Sequence, residues 1–447
     1  MSTVRRIAKN TGFLFIGDII VRLLGLLLIV YLARNFGAAE YGKYAFAVAF
    51  TSLFLILADI GLGVISTRDI ARDTRKAGIY LTTISLLKLT LAVIVMGLIV
   101  LVINLLDYPE GTVTIVYIIG LLYVLESFGV FFRSIFRAFE KMKYDAVTVI
   151  VERLLVVGAA LVVLFQGHGL ITVTLAMLAA QVFGFLFTMS ICVGKFARPQ
   201  WSFDYTLIRH LLKAALPFTL TGIFDRIIFQ TDMIMLSKMQ GDAVTGWYSA
   251  AQRPIFATLF IPAIVTASIF PVISRYFISS RDGLVMAYEK TLKYLVMLAI
   301  PVGIGTTLVA GRIIPFLFGD GFDNSVIVLQ LLAWAVSLVF LITFTGHTLV
   351  SIDRQATAMR FSGIGALLNV VLNLSLIPSL SYTGAAIASI ISVTLVLALQ
   401  FGYLQKHLKK VSLFKMIAKP LAAAVVMGAV VYLLDGWLAV NAVNLLV

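Results

Sequence analysis

The sequence predicts an all-α polytopic membrane protein. It should form two six-helix lobes in parallel repeat around a central cavity, plus one or two extra C-terminal helices. Three observations predict this. The 447 residues are 61% hydrophobic and only 13% charged, where a soluble chain carries about 25% charged residues. Apolar runs close to the roughly 20 residues that span a bilayer recur along the whole length. The second half of the chain also repeats signals of the first.

The runs come in order. Six lie at 11–33, 44–66, 81–105, 113–136, 145–166 and 170–193. After a polar stretch come 214–236, 247–273, 291–314, 324–350, 357–379 and 383–404, and a thirteenth is 417–434. The apolar tail 435–447 is too short to span alone, so the count is thirteen, or fourteen with an incomplete last helix. The basic start (Arg5, Arg6, Lys9) and the first run resemble a signal peptide. That run is as long as a bilayer is thick and no small-residue cleavage pattern follows, so it reads as a membrane helix. Membrane strands are excluded, because they are about ten residues long with alternating polarity.

The net charge of +14 is spread in short clusters between the runs rather than gathered in one basic domain. That is the pattern of the positive-inside rule, and it excludes nucleic acid as a partner. With the N-terminus inside, the inner segments hold 26 Lys and Arg and the outer loops only Arg34, Lys43, Lys238 and Arg312. The chain is therefore expected to be multi-pass, N-terminus inside. The inner segments 67–80, 194–213, 274–290 and 405–416 mix charged and apolar residues and read as amphipathic surface helices or as solvated linkers. The single cysteine, Cys192, excludes an intramolecular disulfide and a multi-cysteine metal site and reads as a small core residue.

The repeat is visible in two places. Residues 37–47, GAAEYGKYAFA, match 241–251, GDAVTGWYSAA, at an offset of 204: Gly37, Ala39, Gly42, Tyr44 and Ala47 recur as Gly241, Ala243, Gly246, Tyr248 and Ala251. At the same offset Arg22 meets Arg226. At an offset of 213, Glu140-Lys141 meets Asp353-Arg354. Six helices per repeat return the chain to its starting side, so the halves share one orientation and suit alternating access between lobes. The expected division is 1–200, 201–412 and an additional membrane segment at 413–447. The stretch 37–43, GAAEYGK, has the spacing of a phosphate-binding loop. Tyr44 stands where that loop needs Ser or Thr, and no strand precedes it, so it is a decoy.

Further residues carry a family resemblance. They are Gly37–Tyr44, the Asp59–Gly63 run with Arg68, Asp232, Val244–Tyr248 with Ala251 and Arg253, Leu317–Gly319 with Phe322, and Pro378 with Gly384–Ala388. In order and spacing the chain resembles the polysaccharide-type flippases of the multidrug/oligosaccharidyl-lipid/polysaccharide exporter superfamily. These include the O-antigen repeat-unit flippases and, more distantly, the lipid II flippases. The resemblance covers essentially the whole chain. It implies a V-shaped molecule of two lobes and a substrate built as an oligosaccharide on a polyprenyl diphosphate. Transport would be driven by an ion gradient or by substrate supply, with no cofactor beyond Na⁺ or H⁺ as coupling ion. It also implies membrane lipids as surroundings, and glycosyltransferases or a polymerase of the same pathway as partners.

Charges inside the spans point the same way, since one at mid-helix costs about 2.5–3.5 kcal/mol on insertion scales. The cations are Arg22, Lys88, Arg153, Arg226 and Arg253; the anions are Asp18, Asp59, Glu126, Glu152, Asp225 and Asp232. Arg binds phosphate oxygens in a bidentate fork, so Arg22, Arg226, Arg253 and Arg153 are the candidate substrate-binding cations of the cavity. Asp225, Asp232 and Asp59 are the candidate ion-coupling carboxylates, the first two seven apart on one helix face. Other roles are open to each. Asp18 and Arg22 can neutralise each other at i,i+4, and Glu152 reads as structural glue between helices. Lys88 is expected to snorkel to the inner surface, and Asp225 and Asp232 can pair with Arg226 or Arg253. Prolines 254, 262, 271 and 301 are expected to bend helices seven to nine. No catalytic residue and no metal site is expected. Three rival readings remain. A multidrug antiporter of the same superfamily would favour an acidic cavity. A membrane enzyme such as a glycosyltransferase would need a sizeable loop. A non-transporting scaffold would not need so many buried charges.

Overall fold

Length and apolarity dictate helices, and helices are what form. The computed structural model describes residues 3–59, 61–200, 205–408 and 412–444. Among these, every regular element is a helix: α1 (Thr3–Asp59), α2 (Leu62–Arg72), α3 (Ala77–Leu105), α4 (Glu110–Ala138), α5 (Met142–Phe165), α6 (Leu170–Lys195), α7 (Tyr205–Gln240), α8 (Asp242–Ala257), α9 (Phe260–Ser279), α10 (Arg281–Phe318), α11 (Asn324–Ser351), α12 (Gln355–His407) and α13 (Leu413–Asn444). A single 3-10 turn at Thr74–Lys76 precedes α3.

Nine helical stretches among the described residues are long and apolar enough to cross a membrane. Two of them are double: α1 folds back at Gly37 (φ 70, ψ 179) and α12 at Ser381 (φ 51, ψ −134). Counting each half separately brings the spans to eleven, and α7 and α13 stand where the seventh and thirteenth runs were read. The protein is a multi-pass membrane protein. The tail is not a fourteenth helix. α13 continues unbroken to Asn444, and residues 445–447 lie outside the described residues.

The chain falls into two compact units, Met1–Arg226 and Ile227–Val447, that meet within α7 in sequence. The segment 413–447 belongs to the second unit, where α13 packs on α10: a Cβ on Gly428 would meet Leu308 and Ile304 at 3.2 and 3.3 Å.

The repeat holds at the level of backbone torsions. Gly241 (φ 89, ψ 179) has the conformation of Gly37. Glu140 (φ 55) and Asp353 (φ 60) are both left-handed, which costs a non-glycine residue about 1–2 kcal/mol, and they sit 213 residues apart in matching turns. α4 ends at Ala138 and α11 at Ser351, while α5 starts at Met142 and α12 at Gln355, so the turns have equal length.

Both units break their second span. In the first, α1 stops at Asp59 and α2 begins after left-handed Gly61 (φ 70). In the second, the run 247–273 divides into α8 and α9 at Thr258–Leu259. Pro262 has no N–H to give to the Thr258 carbonyl, and Ile261 N takes that carbonyl in a tighter turn at 3.0 Å. Pro254, Pro271, Pro301 and Pro315 lie inside helices.

The inner segments correct the sequence reading. Only α2 is a separate short helix; its side chains Leu62, Ile65, Ser66 and Ile70 are buried. Residues 274–290 are the end of α9 and the start of α10, and 405–416 divide between the end of α12 and the start of α13. A helix already hydrogen-bonded in the membrane extends at little cost. Each unit has an apolar aromatic core. One is built on Phe131, Phe132, Phe136, Tyr80 and Cys192, confirming the cysteine as a core residue. The other is built on Tyr288, Leu292, Phe344 and Phe401.

Candidate functional site

In the first unit one set of buried charges lies between α4, α5 and α6. Glu152 of α5 is buried. Its Oε2 accepts from Arg133 Nη1 of α4 at 2.6 Å and its Oε1 from Gln181 Nε2 of α6 at 2.5 Å. Arg133 Nε also lies 3.9 Å from Asp145, and Arg137 donates to Asp145 at 2.5 Å. Two carboxylates and two guanidiniums therefore neutralise one another where isolated charges would be prohibitive. Glycines admit them: a Cβ on Gly184 would sit 2.8 Å from Glu152 Cγ, and one on Gly129 3.2 Å from Arg133 Nη1. Glu152 is thus the helix-to-helix glue that the sequence suggested.

Lys88 corrects its expectation. It does not snorkel. Its side chain is fully buried, and Nζ donates to Asp59 Oδ1 at 2.9 Å and to the Ala58 carbonyl at 3.1 Å. α1 ends there, leaving carbonyls without intrahelical donors. Lys88 answers one of them and the adjacent carboxylate together. Asp59, a candidate coupling residue, is held in this salt bridge.

The second unit holds a different arrangement. Asp232 of α7 is 1% exposed. Tyr248 Oη of α8 donates to its Oδ2 at 2.6 Å, and Ser389 Oγ of α12 donates to the same oxygen. Asn373 Nδ2 and Asn369 Nδ2, also of α12, donate to Oδ1 at 2.7 and 3.3 Å. Asn373 Nδ2 additionally reaches Asn369 Oδ1 at 3.0 Å, while Asn373 Oδ1 is buried with no partner among the described residues. The cluster borders a small pocket shared with Phe229, Gln252 and Val336, with room for about one water-sized sphere. These four donors to Asp232 are all neutral, and oxygen is the donor atom hard cations prefer.

The remaining candidates are placed as follows. Arg22 Nε pairs with Asp18 Oδ2 at 2.7 Å, both side chains about half exposed, so the i,i+4 pair forms. Arg226 and Asp225 are exposed on α7. Asp225 and Asp232 share that helix but not an environment. Arg253 is half-buried on α8, next to pocket-lining Gln252. Arg153 is half-buried on α5, and its buried Nε has no hydrogen-bond partner among the described residues. Among the described residues no three His, Cys, Asp or Glu side chains cluster as a metal site.

Sequence reading missed Arg133, which lies near the inner end of the run 113–136. It also missed Asn369, Asn373 and Ser389, which carry no charge. A sign was available for the asparagines: two amides at i,i+4 inside an apolar run put polar groups on one helix face.

Residues 7–277 match the model of a family described as polysaccharide biosynthesis protein. The chain belongs to that family. It is 22% identical over 429 residues to a probable low-salt glycan biosynthesis flippase, Agl15, of Haloferax volcanii, covering 95% of this chain and 89% of that one. It is 26% identical over 412 residues to the probable flippase AglR of the same organism, covering 87% and 82%. Among solved structures, a lipid II flippase MurJ in an inward closed conformation shares the fold. Its TM-score is 0.75 at 18% identity, over 94% of this chain and 92% of that one.

Proposed function

We propose that this family member is a transporter rather than an enzyme. It would flip a polyprenyl-diphosphate-linked oligosaccharide from the inner to the outer leaflet of a prokaryotic cytoplasmic membrane, N-terminus inside, for cell-surface polysaccharide synthesis. Its relatives Agl15 and AglR are named as probable flippases, and the excess of basic residues in the inner segments supports the orientation. In this reading Arg22, Arg153, Arg226 and Arg253 receive the anionic head, because a guanidinium offers paired donors to phosphoryl oxygens.

The observation that carries the coupled mechanism is Asp232. A carboxylate sunk among neutral donors, next to the orphaned acceptor Asn373 Oδ1, gains a counter-charge when a cation enters. Na⁺ would be held by the oxygens of Asp232, Asn369, Asn373 and Ser389, or a proton by Asp232 alone. Either one changes the local charge by one unit and thereby biases the transport cycle.

The experiment is flipping of a fluorescent lipid-diphosphate oligosaccharide by the reconstituted protein, alongside deletion of the gene in cells. Flipping in vesicles, and a lipid-linked intermediate accumulating on the inner leaflet of the deletion strain, are expected. Collapse of the imposed Na⁺ or proton gradient should slow the wild type, and Asp232→Asn should be slow with or without it. An active protein indifferent to both gradients has no coupling site at Asp232. A protein that moves organic cations and not the lipid is the multidrug antiporter instead.

A further inference from the structure

Glu152 and Arg153 are chain neighbours with opposite surroundings. Both oxygens of Glu152 are occupied, by Arg133 and Gln181, and the two side chains leave α5 about 100° apart. Arg153 is therefore not neutralised by the carboxylate beside it in sequence. Its Nε is buried with no hydrogen-bond partner among the described residues. Its guanidinium lies against α1 at Gly25, where a Cβ would stand 2.6 Å from Nη2. Gly25 sits inside α1 without a left-handed torsion, so its backbone does not demand glycine. What it provides is the space the guanidinium fills. Arg22 stands three residues earlier on the same face of α1, with its Nε turned to Asp18. Glu126 of α4 is within electrostatic reach of Arg153.

We propose that Gly25 and Arg153 form a subsite for a phosphoryl oxygen of the substrate's diphosphate, with Arg153 as the binding group and Gly25 as the residue that positions it. A buried guanidinium nitrogen lacking an acceptor is satisfied when an anionic oxygen arrives. The glycine holds the fork against α1, beside Arg22, so that two cations serve one diphosphate head. This rests on the reading above that arginines inside the spans receive the substrate's anion. It adds a residue with no charge and no donor of its own.

The test is binding of geranylgeranyl diphosphate to the full-length protein in nanodiscs, with geranylgeraniol and phosphatidylglycerol as comparison ligands. Arg153→Ala and Gly25→Ala should each weaken binding by about tenfold or more, the scale of one charge-assisted hydrogen bond. The double variant should be no worse than Arg153→Ala alone, because both act through one guanidinium. Geranylgeraniol affinity should not change. In the Arg153→Lys background, which has no Nη2, Gly25→Ala should have little further effect. The atom Gly25→Ala displaces is the end of a flexible side chain, so folding should survive. If the single variant does not accumulate, the Gly25→Ala/Arg153→Lys pair must accumulate for the contact to be the cause. Unchanged binding in Arg153→Ala removes the arginine reading itself. Weakened binding in Arg153→Ala with none in Gly25→Ala, or additive effects, overturns the positioning role alone. Equal competition by phosphatidylglycerol makes the site a general phospholipid contact and overturns its assignment to the diphosphate.

Discussion

The two units share a backbone plan and bury polar groups in opposite ways. At the offset of 213, Arg133, Asp145, Glu152 and Arg153 of the first unit correspond to Gly346, Ala358, Gly365 and Ala366 of the second. Conversely Asn369 and Asn373 correspond to Val156 and Ala160, and at the offset of 204 Asp232 corresponds to Leu28, all three of these apolar positions being buried. Where the first unit joins its helices by charge pairs, the second closes them on glycine: a Cβ on Gly365 would meet Val396 Cγ2 at 2.2 Å. A cluster of balanced charges resists change, since removing any member strands another in a low dielectric. A carboxylate held by neutral donors depends on hydrogen bonds instead. The repeat supplies one scaffold twice, and the side chains balance charges in the first copy and surround a single carboxylate with neutral donors in the second.

Breaking the first unit's network should give the largest effect on stability. Arg133→Met leaves the buried Glu152 and Asp145 with one guanidinium fewer and should cost about 3–5 kcal/mol. It would be read as a lowered melting temperature of the detergent-solubilised protein. Adding Glu152→Gln should recover much of the loss. A single variant as stable as the wild type would mean that the charges do not act as a balanced set.

The second unit's counterpart, Asp232→Asn, should change stability in buffer by no more than about 1 kcal/mol, because the shape is kept and the surrounding amide and hydroxyls can re-form hydrogen bonds. The difference appears with ligand. Binding to the folded state stabilises by mass action, so saturating Na⁺, or a lower pH if the ion is a proton, should raise the melting temperature of the wild type and not of the variant. Parallel shifts in both proteins would remove the contrast between the units.

The smallest effect on stability belongs to Asp18 and Arg22. An exposed i,i+4 ion pair contributes about 0.3–0.5 kcal/mol, so Arg22→Ala should leave the melting temperature almost unmoved while flipping falls. A transport rate unchanged by Arg22→Ala would leave the pair as a neutralised surface feature.

Much of the fold was legible, and particular residues show why. The glycines at 37 and 241 and the acidic residues at 140 and 353 were found as sequence matches and proved to be matching left-handed turns, because such torsions select residue types locally. Asp232 was singled out as a charge inside an apolar run, and burial of that charge is what the structure adds. Lys88 was misread because hydropathy locates a residue along its helix but not around it, and the broken end of α1 that Lys88 caps is a tertiary feature. Arg133 was missed because a window average places it at a boundary, whereas helix packing carries it into the interior.

By itself the sequence determined that the chain crosses a membrane many times, where each span lies, and that the plan is repeated. These properties depend on transfer of short segments into lipid and on single-residue torsions, and both are local. The tertiary structure alone decided which charge meets which. Glu152 is matched to Arg133 and Gln181 across three helices, Asp59 to Lys88 across 29 residues, and Asp232 to amides and hydroxyls up to 157 residues away. Those pairings depend on how each helix is rotated when it packs, and rotation is set by the fit of whole helix faces rather than by the residues that end up touching.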